Sequence, residues 1–439
     1  MRLKLQWRFI PFLLGIYICS LAFTDLWVVP GLSRKFQLPE VVFLLTIFSV
    51  LWTWRKIFRK PFRLRSIDMG LLSLPLVCGL SVVIAPGQST FLEVLGLGYL
   101  WLVYWLFSRY INQGKGGGLF LLNAIWWLGG VIGVISICSV LLTWQELIPV
   151  GFLAEWKLLP YLGWVIRVSG FAFSPNLWAT TIEFCILLLL GAWRQVSNKR
   201  LYFSMLFLLQ LALLLTFSKS IVAFVAVLGL IQPGVFQVKK YWKAASVGFG
   251  VVALLFYIVA SHVLILSKAD PNYAILKEES YLSRQILWQC FDFEVVAATY
   301  TELKVQAIEA FKYSHGMGVG GGQFINFVSA QQEKGAYPSY LPLYDPHSTY
   351  FGLLAEEGIL GVLALALSAL FIVSVMMKIV TTNTAGIDAA LFWGAKAYLL
   401  LMAIEAVAVD VLNFRTLWVA LGIIGAIYLK YDNKYHAEG

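Results

Sequence analysis

Long runs of apolar residues dominate this chain of 439 residues. An α-helix needs roughly 20 mostly apolar residues to cross the hydrocarbon core of a bilayer. About twelve stretches approach that length: residues 9–29, 40–54, 67–85, 90–108, 119–142, 176–193, 201–217, 220–234, 244–266, 348–378, 387–412 and 416–430. The pattern predicts an all-α integral membrane protein with about twelve transmembrane helices, which we number as spans one to twelve.

The composition excludes the soluble classes of protein. Hydrophobic residues make up 60% of the chain and charged residues 13%, whereas soluble domains are on average about 45–50% apolar and about 25% charged. Five cysteines in a chain of this length do not form the framework of a secreted disulfide-rich protein. The net charge of +10 lacks the clustering that indicates nucleic-acid binding. We expect the bilayer as a partner and no nucleic acid.

The distribution of basic residues predicts the topology, because Lys and Arg accumulate in cytoplasmic loops. Residues 1–8 hold three of them and residues 55–65 hold six, and the later even-numbered loops continue the pattern. Both termini are therefore predicted to be cytoplasmic. The chain is predicted to divide into three parts: spans one to nine in residues 1–266, a long non-cytoplasmic loop in residues 267–347, and spans ten to twelve with a cytoplasmic tail in residues 348–439.

The long loop is rich in apolar and aromatic side chains, which is not the composition of a disordered segment. Residues 280–298 and 300–313 are each predicted to form a helix. The glycine-rich segment 316–322 matches the nucleotide-binding pattern G-x-G-x-x-G, but no βαβ unit surrounds it,. We predict instead a flexible hinge with a tight backbone turn near a bound group.

Three cations lie where the predicted spans end at the non-cytoplasmic face. Arg167 precedes span six, Lys219 lies in the turn between spans seven and eight, and Arg284 lies in the long loop. A charge inside the hydrocarbon costs at least roughly 2.5–3.5 kcal/mol, so such residues often mark a functional path. The alternative for each single residue is snorkelling to lipid headgroups. Their occurrence at the same face as His347, where span ten begins, makes the group more indicative of a functional site than each residue is alone.

Five segments, in this order, resemble the O-antigen ligase and O-antigen polymerase superfamily, the membrane glycosyltransferases of bacterial polysaccharide assembly. They are Arg167-x-x-Gly170 with Pro175-Asn176; Thr216-x-Ser218-Lys219; Ser283-Arg284 with Trp288; Gly316-x-Gly318-x-Gly320 before Phe324; and His347-Ser348 followed by Leu354 and Glu357-Gly358-Ile359-Leu360-Gly361. The last segment is the most specific. Lys219 departs from the family pattern, which commonly has Arg there; Lys keeps the point charge but loses the paired hydrogen bonds to a phosphate.

The resemblance implies a GT-C-like membrane fold and an inverting, metal-independent glycosyltransferase without a cofactor. The implied donor is a glycan on polyprenyl (undecaprenyl) pyrophosphate, and the acceptor is a hydroxyl of another glycan or of a lipid-linked molecule. The implied location is the periplasmic face of the bacterial inner membrane. The resemblance also implies roles for two groups of residues: His347 with Arg284 in catalysis, and Arg167, Arg284 and Lys219 in pyrophosphate binding. We predict supporting positions for Asp345, Asn176 and Glu357.

Elementary chemistry agrees with these roles. A departing diphosphate carries two or more negative charges, which fixed cations stabilise in the transition state. An imidazole, with an unperturbed pKa of about 6.5, suits the removal of a proton from an acceptor hydroxyl. The loop contains no H-x-x-x-H or D-x-D pattern, and its acids are scattered, so no metal site is predicted.

A membrane transporter of a small anion, such as bicarbonate, is the alternative function. About twelve spans with charged residues suit a carrier as well as an enzyme. Carriers often consist of repeated halves with broken helices in matching positions, and the sequence shows no internal repeat. The glycosyltransferase is therefore the favoured prediction, and the choice between a ligase and a polymerase stays open.

Overall fold

The computed structural model describes residues 2–24, 37–57, 64–84, 88–111, 117–235, 240–276, 286–339, 341–381 and 386–438. Most of these residues are helical. In chain order the helices are α1 (Arg2–Ser20), α2 (Leu38–Ile57), α3 (Ser66–Ile84), α4 (Gln88–Tyr110), α5 (Gly117–Trp144), α6 (Pro175–Ala192), α7 (Lys199–Leu214), α8 (Ser220–Val235), α9 (Lys240–His262), α10 (Thr299–Tyr313), α11 (Phe324–Glu333), α12 (Thr349–Glu356), α13 (Gly358–Thr381), α14 (Gly386–Glu405) and α15 (Arg415–Glu438).

The helices indicate a multi-pass membrane protein. Among the described residues, seven helices are long and apolar enough to cross a bilayer, namely α3, α4, α5, α6, α9, α13 and α14. Shorter apolar stretches lie in α1, α2 and α8. Every predicted span overlaps a described helix, and the tenth is split between α12 and α13. The count of twelve crossings and the three-part division of the chain stay predictions.

The bundle is held together by close contacts between helix backbones. Helices α6 and α14 approach so closely that a Cβ atom added at Gly191 would lie 2.2 Å from the Ala390 carbonyl oxygen. A Cβ at Gly394 would lie 2.6 Å from the Cα of Leu188. Helices in a bilayer associate through such small-residue contacts, because lipid tails are as apolar as the side chains. The two glycines therefore set the spacing of this helix pair.

The expectation of an all-α protein is wrong in one respect, because the structure contains five strands. Strands β1 (Ala154–Leu159) and β2 (Gly163–Val168) form an antiparallel hairpin. Strands β3 (Val263–Ser267), β4 (Ile286–Cys290) and β5 (Phe293–Ala297) form an antiparallel sheet in the order β3-β5-β4.

The helix predicted over residues 280–298 is wrong for residues 286–297, which form the β4–β5 hairpin; residues 280–285 lie outside the described part of the chain. Short apolar runs fit a strand and a buried helix equally well, and aromatic and β-branched residues favour the strand. Helix α10 occupies the position of the second predicted helix of the loop.

The two sheets pack against each other. Leu158 of β1, Leu266 of β3 and Val296 of β5 share one apolar cluster. The backbone N–H of Tyr161 donates a hydrogen bond to the Asp270 carboxylate at 2.7 Å. The hairpin before α6 and the sheet after α9 therefore form one layer at the end of the bundle that the charge pattern predicts to be non-cytoplasmic, which we call the outer end.

A buried ion pair lies at the opposite end, where α3 begins and α4 ends. The carboxylate of Asp68, 1% exposed, accepts hydrogen bonds from the Arg109 guanidinium and the Tyr104 hydroxyl, both at 2.6 Å. It also accepts one from the backbone N–H of Arg65 at 2.8 Å. This carboxylate joins α3 and α4 and holds the charge of Arg109 in place.

We predict that Asp68→Ala destabilises the protein by about 1.5–3 kcal/mol, because the charge-assisted hydrogen bonds from Arg109 and Tyr104 to a buried carboxylate are lost,. The thermal unfolding of detergent-solubilised protein, followed by size-exclusion chromatography, measures the effect. The matched control is Asp388→Ala: its partner Lys430 is 53% exposed, so we expect a loss of at most about 1 kcal/mol. Equal melting temperatures for the two variants would contradict the structural role of Asp68.

Candidate active site

The imidazole of His347 is oriented by Asp345. The Nδ1 atom of His347 is hydrogen-bonded to the Asp345 carboxylate, and the backbone N–H of His347 donates to the same oxygen at 2.9 Å. A carboxylate only accepts hydrogen bonds, so Nδ1 carries a proton, and in the neutral form of the ring Nε2 keeps a lone pair. This is the tautomer that a general base requires.

The Asp345 carboxyl is kept ionised. Burial by itself would raise its pKa, but the hydrogen bonds from the ring and backbone of His347, with the charge of that ring, lower the pKa below its ordinary value. The carboxylate therefore remains charged at neutral pH. It holds the imidazole in one tautomer and stabilises the imidazolium that forms when the ring takes up a proton.

The start of α12 is anchored to the turn that follows α14. The Ser348 hydroxyl donates to the carbonyl oxygen of Ala406 at 2.8 Å, and the backbone N–H of Thr349 donates to the same oxygen at 3.0 Å. The backbone N–H of Val411 donates to the Thr349 hydroxyl at 2.9 Å. His347, which has a left-handed backbone conformation with φ 46°, is therefore fixed to the outer end of the bundle.

Two tyrosines lie beside the imidazole. The ring of Tyr300, in the first turn of α10, lies with its centroid 3.9 Å from that of His347, and the Tyr344 ring lies 6.3 Å away at an interplanar angle of 16°. Offset aromatic contacts of this kind restrict the rotation of the ring. The sequence analysis missed Tyr300. The available signal was its position in the sequence: Tyr300 lies three residues before Leu303, the first of the apolar residues that pack α10 against α11.

Arg167 lies on β2 and points to the turn between α7 and α8. Its Nε atom donates to the carbonyl oxygen of Thr216 at 3.1 Å, and its Nη1 atom pairs with the Glu155 carboxylate at 3.1 Å. Burial lowers the pKa of Arg167, while the neighbouring Glu155 and Tyr300 act in the opposite direction. A guanidinium stays charged at neutral pH. Tyr300, whose ring contacts that of His347, thus also acts on the charge of Arg167.

The turn that carries Lys219 is built from hydroxyl groups. The Ser218 hydroxyl donates to the amide oxygen of Asn176 at 2.8 Å, and the hydroxyls of Ser218 and Ser220 lie 2.9 Å apart. The Lys219 ammonium donates to the carbonyl oxygen of Ala260 at 2.5 Å. Asn176 therefore supports the turn from the first residues of α6, where Ser174 caps the helix and Pro175 begins it,.

The glycine segment 316–322 contacts the break between α12 and α13. The backbone N–H groups of Val319 and Gly320 donate to the carbonyl oxygens of Ala355 and Glu356, both at 2.9 Å. A Cβ atom added at Gly318 would lie 2.2 Å from the Glu356 oxygen. The predicted flexible hinge is thus a hydrogen-bonded backbone contact. Glycine is needed at residue 318 because the backbones of the two segments touch there.

Glu357 lies at this break. A Cβ atom added at Gly321 would lie 3.1 Å from a Glu357 carboxylate oxygen and 3.0 Å from the Cys78 sulfur. No contact joins Glu357 to Arg167 or His347 within the described residues. Its supporting role stays a prediction. Arg284 lies outside the described residues, so its position relative to the other cations also stays a prediction.

Comparison with known proteins gives one result that bears on this arrangement. The O-antigen ligase family model matches residues 203–366. The matched range contains Lys219, Arg284 and His347, whereas Arg167 and Asn176 precede it. No curated protein matches the chain. Residues 203–366 are therefore similar to the O-antigen ligase family, and the resemblance to the O-antigen ligase and polymerase superfamily predicted from the sequence motifs is confirmed over this range.

Proposed function

We propose that this protein is a membrane glycosyltransferase of the O-antigen ligase or polymerase type. It transfers or polymerises a glycan from a polyprenyl pyrophosphate donor onto an acceptor hydroxyl. The reaction takes place at the periplasmic face of the bacterial inner membrane, with both termini of the chain in the cytoplasm. The observation that carries the proposal is the Asp345-oriented imidazole of His347 beside Tyr300, at the end of the bundle where Arg167 lies against the turn before α8.

The cations act on the leaving group. As the bond between the anomeric carbon and the diphosphate oxygen breaks, negative charge develops on the diphosphate, and fixed cations stabilise it. Arg167 supplies a planar hydrogen-bonding group, and Lys219 supplies a point charge from the turn before α8. We assign Arg284 to the same diphosphate. In this proposal the side chains supply the charge neutralisation that a metal ion supplies in other transferases.

His347 acts on the acceptor. Its Nε2 atom takes the hydroxyl proton as the acceptor oxygen forms a bond to the anomeric carbon on the face opposite the departing diphosphate. Attack from that face inverts the configuration of the sugar. The Asp345 carboxylate stabilises the imidazolium, which releases its proton to water after the products leave.

The alternative, a transporter of a small anion, requires a path through the bundle that attracts anions. The buried side chains inside the bundle include the carboxyl groups of Glu183 and Glu405, 0% and 1% exposed. An ionised carboxylate repels an anion, and a neutral one does not attract it. Arg167 and His347 instead lie at the outer end, which favours the glycosyltransferase.

We predict that His347→Asn lowers glycan transfer by about 10²–10⁴-fold, because asparagine cannot act as a general base. Asparagine tolerates the left-handed backbone of this position, so the change tests the imidazole and not the fold. Purified protein is incubated with a lipid-diphosphate-linked oligosaccharide and an acceptor glycan, and the release of polyprenyl diphosphate is measured. The control is His315→Asn, an exposed histidine with φ 51°. If His347→Asn releases polyprenyl diphosphate at the unchanged rate, His347 is not the general base.

We predict that Asp345→Asn lowers kcat and leaves the apparent KM for the donor nearly unchanged. The amide no longer holds the proton on Nδ1, and the loss in a comparable triad is about 10⁴-fold. Because the pKa of Asp345 lies below its ordinary value, the carboxylate is ionised at neutral pH and titrates only in acid. We therefore expect no step from Asp345 in the pH–rate profile between pH 5 and pH 9. Asp292→Asn, at an exposed position, serves as the control.

We predict that Arg167→Gln and Arg284→Gln each weaken donor binding by roughly 10- to 100-fold, because each removes a charge-assisted hydrogen bond to the diphosphate. The measurement is the affinity of purified protein for a polyprenyl diphosphate. Arg200→Gln is the control, since Arg200 is exposed at the first turn of α7. If both variants bind the diphosphate as the unmodified protein does, the assignment of these arginines is wrong.

A further inference from the structure

Lys304 is a buried lysine on the inner face of the outer layer, one helical turn after Tyr300 on α10. Its side chain is 4% exposed. Residues four apart on a helix lie on the same face, so Lys304 and the tyrosine that contacts His347 face the same region. The sequence analysis did not single out this lysine.

The partner of Lys304 does not neutralise its charge. The Lys304 Nζ atom lies 3.1 Å from Nε2 of His262. The other ring nitrogen of His262, Nδ1, lies 2.8 Å from the carbonyl oxygen of Ile258. A carbonyl oxygen only accepts hydrogen bonds, so Nδ1 carries the ring proton and Nε2 accepts from the lysine. The partner of Lys304 is thus a ring nitrogen, and no carboxylate pairs with Lys304 among the residues that the structure describes.

A second cation lies near the first, because the Lys219 ammonium donates to the carbonyl oxygen of Ala260, two residues before His262 at the end of α9. Burial lowers the pKa of Lys304 to about 8, and the charge of Lys219 acts in the same direction. The ammonium group is thus mostly protonated at neutral pH although it is buried. A buried charge without a counter-ion is costly. Two neighbouring cations, one of them buried, are the arrangement that a multiply charged anion stabilises.

The position of this cation is fixed relative to the site. The carbonyl oxygen of His262 accepts hydrogen bonds from the backbone N–H of Ala298 at 2.8 Å and from the Thr301 hydroxyl at 2.7 Å. These bonds hold the start of α10 against the end of α9. Lys304 is therefore held at the end of α9, where Lys219 also donates to a backbone carbonyl, and lies one helical turn from the tyrosine that contacts His347.

We propose that Lys304 is a further ligand of the diphosphate, acting together with Lys219 in the anion site at the outer end of the bundle. The inference rests on the proposed function, because it takes a lipid-linked diphosphate as the anion. It adds a buried cation on α10 to the residues that the sequence motifs indicate.

The test measures the affinity of detergent-purified full-length protein for farnesyl diphosphate, a soluble isoprenyl diphosphate, by microscale thermophoresis. Lys304→Met keeps the length of the side chain and removes its charge. We expect this variant to bind the probe roughly 10- to 100-fold more weakly, since a charge-assisted hydrogen bond is lost. The control is Lys312→Met, at an exposed position of the same helix, for which we expect unchanged affinity.

The pH dependence supplies a second readout. Above a pKa of about 8 Lys304 loses its charge, so the affinity of the unmodified protein for the probe should fall between pH 8 and pH 9.5. The groups that act on Lys304 are His262 at the end of α9 and Lys219 in the turn before α8. Arginine stays charged over this range. The affinity of Lys304→Arg for the probe should therefore not change between pH 8 and pH 9.5.

The outcomes distinguish this inference from the proposed function. If the unmodified protein does not bind farnesyl diphosphate and releases no polyprenyl diphosphate, the proposed function fails. If it binds the probe and Lys304→Met binds equally well, the inference about Lys304 is wrong and the proposed function stands. If Lys304→Met does not give a monodisperse protein, Lys304→Arg decides: a fall in affinity above pH 8 like that of the unmodified protein contradicts the inference.

Discussion

The contact between the glycine segment and the break after α12 is the constraint on which the outer end of this protein depends. The backbone of residues 316–320 lies directly against the backbone of residues 355–359, with hydrogen bonds in both directions. A Cβ atom at Gly318 or Gly358 would overlap the backbone of the opposite segment, because it would lie 2.2 Å from a carbonyl oxygen in each case. The contact ends α12 after eight residues and sets its direction relative to α13. His347 lies at the other end of this short helix.

The candidate active site is assembled from segments that are distant in the chain. The hairpin before α6 supplies Arg167, the turn before α8 supplies Lys219, and α10 supplies Tyr300 and Lys304. The start of α12 supplies His347 and its carboxylate partner. Side chain–backbone hydrogen bonds to Thr216, Ala260 and Ala406 hold Arg167, Lys219 and Ser348 in place. In the proposed function, an anion at this end meets cations from several elements, while the carboxylate of Asp345 is engaged by the imidazole.

The sequence predicted the helices that span the bundle because their signal is strong. Each requires a long apolar run, and few structures other than a membrane-spanning helix accommodate such a run. It also placed His347 at the start of a helix, because Asp345-Pro346 interrupts the chain before the apolar run of α12 and α13,. The family motifs linked Arg167, Asn176 and Lys219, and the structure brings their segments together through Thr216 and Ser218.

The sequence did not predict the strands or the buried lysine. The β4–β5 hairpin turns at Phe291 and Asp292 without a glycine, so the usual turn signal is missing. Lys304 looks like an ordinary lysine of an amphipathic helix, because its burial depends on contacts with segments that are distant in the chain, such as His262 at the end of α9. Hydrogen bonds between residues as far apart as His262 and Thr301 leave no local pattern in the sequence.

The central claim is that one imidazole and several cations meet around a lipid-linked diphosphate at the outer end of the bundle. A cryo-EM structure of the protein in lipid nanodiscs, with a bound methylene-bisphosphonate analogue of a polyprenyl diphosphate, tests it most directly. The account predicts both phosphonate groups within hydrogen-bonding distance of Arg167, Lys304 or Lys219, with the Nε2 atom of His347 facing the position of the anomeric carbon. Phosphonate density at the cytoplasmic end, or an imidazole turned into the lipid, would contradict it.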